Sequence, residues 1–233
     1  MTDAIPDGNA ASNDKIVVHH LNSSRSQRVL WLLEELELPY EIKQYKRNAD
    51  FSAPGEIKDI HPIGKVPIIT VGDVSIAESG AIVGYLIAKY GGEKAKPTEN
   101  GYIDDLYFSH YAEGTLMPLL INKFIFTMIP QRTPFFIRPI AKLLLWPISR
   151  ILIPRLKENI DFIEAHLTKS QTGWFANGDH PTSADYMMLF PAEGIQSDNP
   201  QPGSQIEAFL KRVHERPAYK RAIEKGGEFS IPS

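Results

Sequence analysis

The hydrophobic pattern of this chain changes once, close to residue 91. Before that point, apolar residues follow strand and helix periodicities in the order β-α-β, an irregular stretch, then β-β-α. After it no convincing strand pattern occurs, and helical patterns cover roughly residues 100–128, 139–167, 183–194 and 206–222. A mixed strand-and-helix unit followed by a purely helical one is an α+β arrangement in two parts.

Glycine-containing pairs mark the turn and the boundary of the first unit. Gly72-Asp73 separates two short apolar runs and predicts a tight hairpin. Gly91-Gly92 and the polar run after it predict the end of a helix and a linker. We therefore expect one domain at residues 15–91, a linker at 92–98 and a second domain at 99–233, preceded by a disordered tail at 1–14.

Composition excludes several classes of function. The chain has 25 basic and 28 acidic residues, and a net charge of −3 gives no attraction to nucleic-acid phosphates. It has no cysteine, which excludes a disulfide scaffold, a Cys-ligated metal and a thiol nucleophile on the protein. No secretory signal pattern and no dinucleotide, Walker, zinc-protease or hydrolase motif occurs, so we expect a cytoplasmic protein without a metal site.

The most apolar stretch, residues 124–154, permits two interpretations. Five prolines and spaced Arg and Lys residues interrupt it, so it falls short of the ~18 uninterrupted apolar residues of a spanning helix. The first interpretation is a set of helices packed within the second domain, with prolines at their joints. The second is an interfacial surface that makes weak contact with a membrane.

Four short motifs carry most of the chemical information. They are Asn22–Arg28 between a strand and a helix, His61–Pro67 before the hairpin, Ala77–Gly80 at the start of a helix, and Thr182–Asp185 at the start of another. The last is typical of a capping box, and we assign it to folding. A helix N-terminus that also offers a hydroxyl donor lowers the pKa of a nearby thiol, and Ser23 and Ser24 lie at such a position.

The order and content of these motifs resemble the glutathione transferases. The resemblance is strongest to fungal and bacterial members with Ser-Arg-Ser-x-Arg-x-Leu-Trp-Leu-Leu-Glu-Glu-Leu, which is found here from Ser24 to Leu36, and it covers about residues 15–222. It implies a thioredoxin-like N-terminal domain that binds glutathione and an all-α C-terminal domain that binds the electrophile. It also implies a homodimer, with glutathione as a cosubstrate and no metal or dissociable redox cofactor.

The resemblance also implies roles for residues of the strand-to-helix loop. By analogy with the theta-, delta- and phi-like classes, Ser24 is the serine that stabilises the glutathione thiolate. Zeta- and tau-like spacing selects Ser23 instead, and we prefer Ser24. Arg25 is expected to add positive field at the sulfur. From the residues alone, either serine is equally well explained as the N-cap of the helix.

Further roles follow from the same resemblance. Val66-Pro67 is expected to be a cis peptide bond that presents the backbone of Val66 to the tripeptide, and Lys65 to pair with the glycyl carboxylate. Glu78 and Ser79 are expected to hold the γ-glutamyl ammonium and carboxylate, since a helix N-terminus favours an anion.

The electrophile pocket is expected along the first long helix of the second part, at Tyr107 and Tyr111. The implied activity is conjugation of glutathione to small hydrophobic electrophiles. Two alternatives remain: a glutathione-binding regulatory or carrier module with little transferase activity, and a glutathione-dependent peroxidase for organic hydroperoxides.

Overall fold

A computed structural model describes residues 15–48, 52–198 and 203–227. The predicted tail at residues 1–14 lies outside this part of the chain. The first domain has the predicted β-α-β, β-β-α order, with a short 3₁₀ helix at Gly55–Asp59 between the two halves. Its elements are β1 (Ile16–Leu21), α1 (Ser26–Glu35), β2 (Tyr40–Tyr45), β3 (Ile68–Val71), β4 (Val74–Ala77) and α2 (Ser79–Leu86).

The four strands form one mixed sheet in the order β2-β1-β3-β4. β1 and β2 are parallel, while β1–β3 and β3–β4 are antiparallel pairs. The register places His19 opposite Ile68, and Ile68 opposite Ala77. The end of β1, the start of β3 and the end of β4 therefore lie at one edge of the sheet. This topology, followed by a helical domain, confirms the predicted thioredoxin-like fold.

In the part of the second domain that the structure describes, the four ranges predicted as helical form six α-helices. They are α3 (Tyr102–Tyr111), α4 (Met117–Arg132), α5 (Arg138–Lys169), α6 (Ser183–Asp198), α7 (Ser204–Glu215) and α8 (Pro217–Gly226). A single π-helical turn, Ala112–Leu116, joins α3 to α4. The range predicted as helical at residues 206–222 is helical, with one interruption. Arg216 is extended (ψ 134°) because Pro217 disfavours helical geometry in the residue before it, so the chain forms two helices.

Helix α1 is the centre of the packing between the two domains. Every residue from Ser26 to Glu34 is buried, including a fully enclosed Trp31 whose ring centroid lies 4.5 Å from that of Tyr186 on α6. The predicted cap of α6 also forms: the Asp185 carboxylate accepts the backbone N–H of Thr182 at 2.8 Å and that of Phe175 at 2.9 Å. The structural role assigned to this box is confirmed.

The tip of the α4–α5 pair projects away from this packing. None of residues 131–155 is buried, and the next residue, Leu156, is the first of α5 to enter the core. The helices expected over residues 124–154 therefore form, but the interpretation that this stretch packs within the domain is wrong for residues 131–155. By length and composition alone, one described helical stretch, Tyr102–Arg132, could cross a membrane.

Candidate functional site

Three of the four sequence motifs meet at the sheet edge defined above. The loop after Leu21, the Val66-Pro67 pair before Ile68, and Glu78-Ser79 after Ala77 all follow or precede strand residues in register at this edge. The fold thus brings together segments more than fifty residues apart in sequence. The fourth motif, at Thr182, lies on α6 and has the structural role already described.

The Ser24 hydroxyl lies inside a buried hydrogen-bond network. Its Oγ donates to the carbonyl of Leu21 at 2.6 Å and lies 2.6 Å from the Oγ of Ser26. Ser26 Oγ is in turn 2.7 Å from Nδ1 of His20, whose Nε2 lies 2.8 Å from the carbonyl of Gly226 at the end of α8. The network links the strand-to-helix loop to the last described helix.

The donor and acceptor of each hydrogen bond in this network can be assigned, and they determine which atom accepts the Ser24 proton. The Gly226 carbonyl can only accept, so Nε2 of His20 carries a proton. Burial lowers the pKa of His20, which favours the neutral ring, and Nδ1 then accepts the proton of Ser26. Among the residues that the structure describes, the acceptors for the Ser24 proton are the Leu21 carbonyl and Ser26 Oγ, whether the imidazole is neutral or charged.

Ser23 differs from Ser24 in both backbone and exposure. It has a φ of +50°, an uncommon conformation for a residue with a Cβ, and its side chain is only partly buried. Its carbonyl accepts from Nη2 of Arg47 at 3.2 Å. Neither serine is the N-cap of α1: that position is Arg25, which makes no side-chain capping bond.

Arg28 is a fully buried cation between the two domains. Its Nη1 donates to Ser79 Oγ at 3.1 Å and to Glu113 Oε1 at 2.7 Å, and its guanidinium lies 5.4 Å from the ring centroid of Phe190. Burial lowers its pKa to about 10 against the opposing attraction of Glu113, so it remains charged at neutral pH. Arg28 thus connects the helix after the serine loop to the N-terminus of α2.

Glu113 accepts from two arginines. Arg25 Nε donates to both of its carboxylate oxygens, at 3.0 and 3.1 Å, in addition to the bond from Arg28. Burial by itself would raise the pKa of Glu113, but the charges and hydrogen bonds of Arg28 and Arg25 outweigh it and hold the pKa below its usual value. Glu113 lies in the π-helical turn between α3 and α4, an irregularity often found at functional sites.

Glu78 and Ser79 form the start of α2. Glu78 is the N-cap, has a φ of +70° and is exposed, whereas Ser79 is buried. Because Ser79 Oγ accepts from Arg28, its own proton is the one left to donate. The helix N-terminus therefore offers a hydroxyl and backbone N–H groups backed by a buried positive charge.

The peptide bond between Val66 and Pro67 is cis, as the resemblance implied. Pro67 is buried, Val66 is partly buried and Lys65 is exposed. The backbone of Val66 therefore lies at the same sheet edge as the serine loop and Ser79, with a cation one residue before it.

A cavity of about 500 Å³ lies along α3 and the π-helical turn. Both predicted pocket residues line it: Tyr107 is half exposed, and the buried Tyr111 donates its hydroxyl proton to Asn159. The two rings stack with centroids 5.5 Å apart. The lining is mostly apolar and comprises Ile103, Leu106, Tyr107, His110, Tyr111, Gly114 and Thr115.

Sequence reasoning missed Arg28 and Glu113. Arg28 is a charged residue immediately before the apolar helical run Val29 to Leu33, and a charged residue buried with such a run needs a partner. That signal was available, but its partner lies 85 positions away and only the fold identifies it.

Comparison with known proteins places this geometry in a family. Residues 14–88 match the family model "Glutathione S-transferase, N-terminal domain". The chain is 37% identical over 216 residues to glutathione S-transferase 3 of Schizosaccharomyces pombe, covering 90% of this chain and 87% of that protein.

Two solved structures are also similar. A glutathione S-transferase from Actinobacillus pleuropneumoniae superposes with a TM-score of 0.74 at 26% identity, covering 91% of this chain and 92% of that one. A glutathione transferase homologue from Lodderomyces elongisporus, solved with two GSH per subunit, has a TM-score of 0.70 at 19% identity, covering 90% and 98%. With the motifs at the sheet edge and the extent of the first match, this chain belongs to the glutathione S-transferase family of enzymes.

Proposed function

We propose that this enzyme conjugates the thiolate of glutathione to small hydrophobic electrophiles and that the tripeptide binds at the sheet edge. The observation that carries the proposal is the convergence of the serine loop, Val66-Pro67 and Ser79, with the buried Arg28 behind Ser79. Arg25, Arg28 and Glu113 together carry a net positive charge, and the attraction of a buried charge for a nearby anion is stronger than that of the same charge in water.

The γ-glutamyl end binds at the N-terminus of α2. Its carboxylate accepts hydrogen bonds from the Ser79 hydroxyl and from the backbone N–H groups of the first turn. Arg28, which donates to Ser79 Oγ, stabilises the negative charge. The exposed carboxylate of Glu78, the residue before Ser79, pairs with the ammonium group of the γ-glutamyl end. Both charges of the γ-glutamyl group then have partners of opposite sign.

The rest of the tripeptide extends along β3. The backbone N–H and C=O of Val66 pair with the cysteinyl residue as an added strand would, because Val66 precedes the buried Pro67 at the start of the strand. The exposed ammonium of Lys65 pairs with the glycyl carboxylate.

A serine hydroxyl of the loop stabilises the thiolate, and the geometry supports Ser23 over Ser24. The Ser24 proton is donated within the buried network, so turning it to a sulfur would leave the Leu21 carbonyl without this donor. Ser23 is partly exposed at the same sheet edge, whereas Ser24 is buried. This reverses the preference for Ser24 that the resemblance implied.

Arg25 has a smaller part in thiolate stabilisation than first expected. Its Nε donates to both carboxylate oxygens of Glu113, and this carboxylate partly offsets the positive charge of Arg25, as it does that of Arg28. We assign Arg25 to the contact between the domains.

The electrophile occupies the cavity beside Tyr107 and Tyr111. An apolar lining favours hydrophobic substrates without requiring one particular shape, and the reaction then depends on proximity to the activated sulfur. A homodimer, as the resemblance implied, is part of this proposal.

A substrate panel tests the proposal. Glutathione is assayed with aryl halides, unsaturated carbonyl compounds and organic hydroperoxides, and its binding is measured by calorimetry. Conjugation that saturates with glutathione supports the proposal. Tight glutathione binding without turnover of any compound would favour the carrier module, and turnover of hydroperoxides alone would favour the peroxidase.

A further inference from the structure

The α4–α5 tip, defined as residues 131–155, combines exposed apolar side chains with a single sign of charge. Its most exposed apolar residues are Phe135 at 80%, Leu143 at 72%, Leu144 at 69% and Phe136 at 67%. Isolated exposed apolar residues are ordinary, but contiguous apolar surfaces mark interaction sites. None of these four side chains contributes to the core of the domain.

The charge in this region is entirely positive. Residues 114–157 contain seven Lys and Arg residues and no Asp or Glu. Because the whole chain carries −3, the rest of it carries −10. The tip itself holds five of these cations, and all five are exposed: Arg132, Arg138, Lys142, Arg150 and Arg155. Lys157, just beyond the tip, is paired with Asp161.

The shape of the tip suits insertion into an interface. The turn between the helices carries Phe135 and Phe136, flanked by Arg132 and Arg138 at the adjoining helix ends. On α5 the less exposed residues between 139 and 155 recur at 141, 145, 149 and 152, the spacing of one helical stripe. The other faces of α5 are exposed over this stretch, which is roughly 25 Å long at 1.5 Å per residue.

We propose that the α4–α5 tip docks this enzyme on the surface of an anionic lipid bilayer. Exposed Phe, Leu, Ile and Trp side chains enter the boundary between headgroups and acyl chains, and the spaced cations pair with anionic headgroups. The same spacing of cations favours lying at the interface over crossing the bilayer. Two copies of this face would bring like charges together, which argues against a second copy as its occupant.

The chain contains its own reporter for this contact. Of the three tryptophans, Trp31 and Trp174 are buried, whereas Trp146 is 57% exposed on the tip, with Arg150 4.9 Å from its ring centroid. A change in tryptophan emission on mixing with vesicles therefore reports the environment of Trp146.

The test uses the full chain and vesicles of phosphatidylcholine alone or mixed with phosphatidylserine. We expect sedimentation with the mixed vesicles only, a blue shift of emission that is lost in Trp146→Phe, and weaker binding as salt rises from about 0.05 to about 0.5 M. Arg138→Glu with Lys142→Glu should reduce partitioning at least tenfold. Phe135→Ser with Phe136→Ser should also reduce it.

A matched charge reversal distinguishes docking from net charge. Lys211→Glu with Lys220→Glu changes the total charge equally but lies on α7 and α8, so binding should be retained. Absence of binding to mixed vesicles at low salt would overturn the proposal, as would equal loss in both charge variants. A tip variant that turns a dimer into a monomer, while vesicles leave Trp146 emission unchanged, would assign this face to a second copy instead.

Discussion

Arg28 Nη1 lies 2.7 Å from Glu113 Oε1, and this ion pair connects the first helix of the thioredoxin-like domain to the π-helical turn of the helical domain. The arginine is completely buried and Glu113 is about two-thirds so. Removing one member of a buried pair leaves an uncompensated charge, which costs 3–5 kcal/mol when both members are fully buried.

We therefore expect Glu113→Gln to reduce the free energy of unfolding by about 2–3 kcal/mol, somewhat less than for a fully buried pair. Urea-induced unfolding of the variant and of the parent chain measures this difference in free energy. The matched control is Glu93→Gln, which removes an exposed pair with Lys96 and should change stability by less than about 0.5 kcal/mol. Equal effects of the two substitutions would show that the Arg28–Glu113 pair does not hold the domains together.

The acid dependence of stability follows from two lowered pKa values. The pKa of Glu113 is lowered by Arg28 and Arg25, and that of Glu34 by hydrogen bonds from Lys225, Tyr40 and Arg221, in each case against the effect of burial. Their stabilisation is therefore complete above the unfolded-state pKa, near 4.5, and is lost as the pH falls through the lower folded-state values.

Unfolding measured from about pH 6 down to about pH 3 should show this loss, and Glu113→Gln should give a shallower dependence than the parent chain. An unchanged slope in the variant would mean that Glu113 has an ordinary pKa in the folded protein.

Ser79→Ala tests the proposed γ-glutamyl subsite. A hydrogen bond to a charged group contributes about 1.5–3 kcal/mol, so glutathione affinity measured by calorimetry should fall roughly ten- to a hundredfold. Ser75→Ala on β4 is the control, because that exposed serine bonds only weakly to the Ile60 carbonyl, at 3.4 Å, and should leave affinity unchanged. Unchanged affinity in Ser79→Ala would remove Ser79 from the site.

Ser24→Ala should act on folding. It leaves the buried Leu21 carbonyl without its 2.6 Å donor, at an expected cost of about 1–2 kcal/mol in unfolding free energy. Ser109→Ala removes an exposed hydroxyl bonded to the Leu106 carbonyl within a helix and should cost only a few tenths of a kcal/mol. A negligible loss in Ser24→Ala would contradict the structural role given to this hydroxyl.

Much of the fold could be predicted from the sequence because its signals are local. Gly72-Asp73 determines a hairpin by turn chemistry, and the periodicity after Ser79 determines a helix without reference to distant residues. The break at Pro217 was also local but was overlooked, since the apolar periodicity continues across it.

The site was harder to predict because its interactions are long-range. The hydrogen bond that Ser24 donates to the Leu21 carbonyl depends on the conformation of the loop. The role of Arg28 depends on a carboxylate contributed by the other domain. Neither relationship has a periodicity or a fixed spacing that a sequence could reveal.

The most direct test of the account is a pH titration of bound glutathione in Ser23→Ala and Ser24→Ala. The ultraviolet absorbance of the thiolate monitors the titration. We expect Ser23→Ala to raise the pKa of the bound thiol, with turnover near neutral pH falling roughly tenfold for each unit. Ser24→Ala should leave that pKa close to the parent value. A raised pKa in Ser24→Ala alone would contradict the assignment to Ser23, and an unchanged pKa in both would contradict activation by a serine.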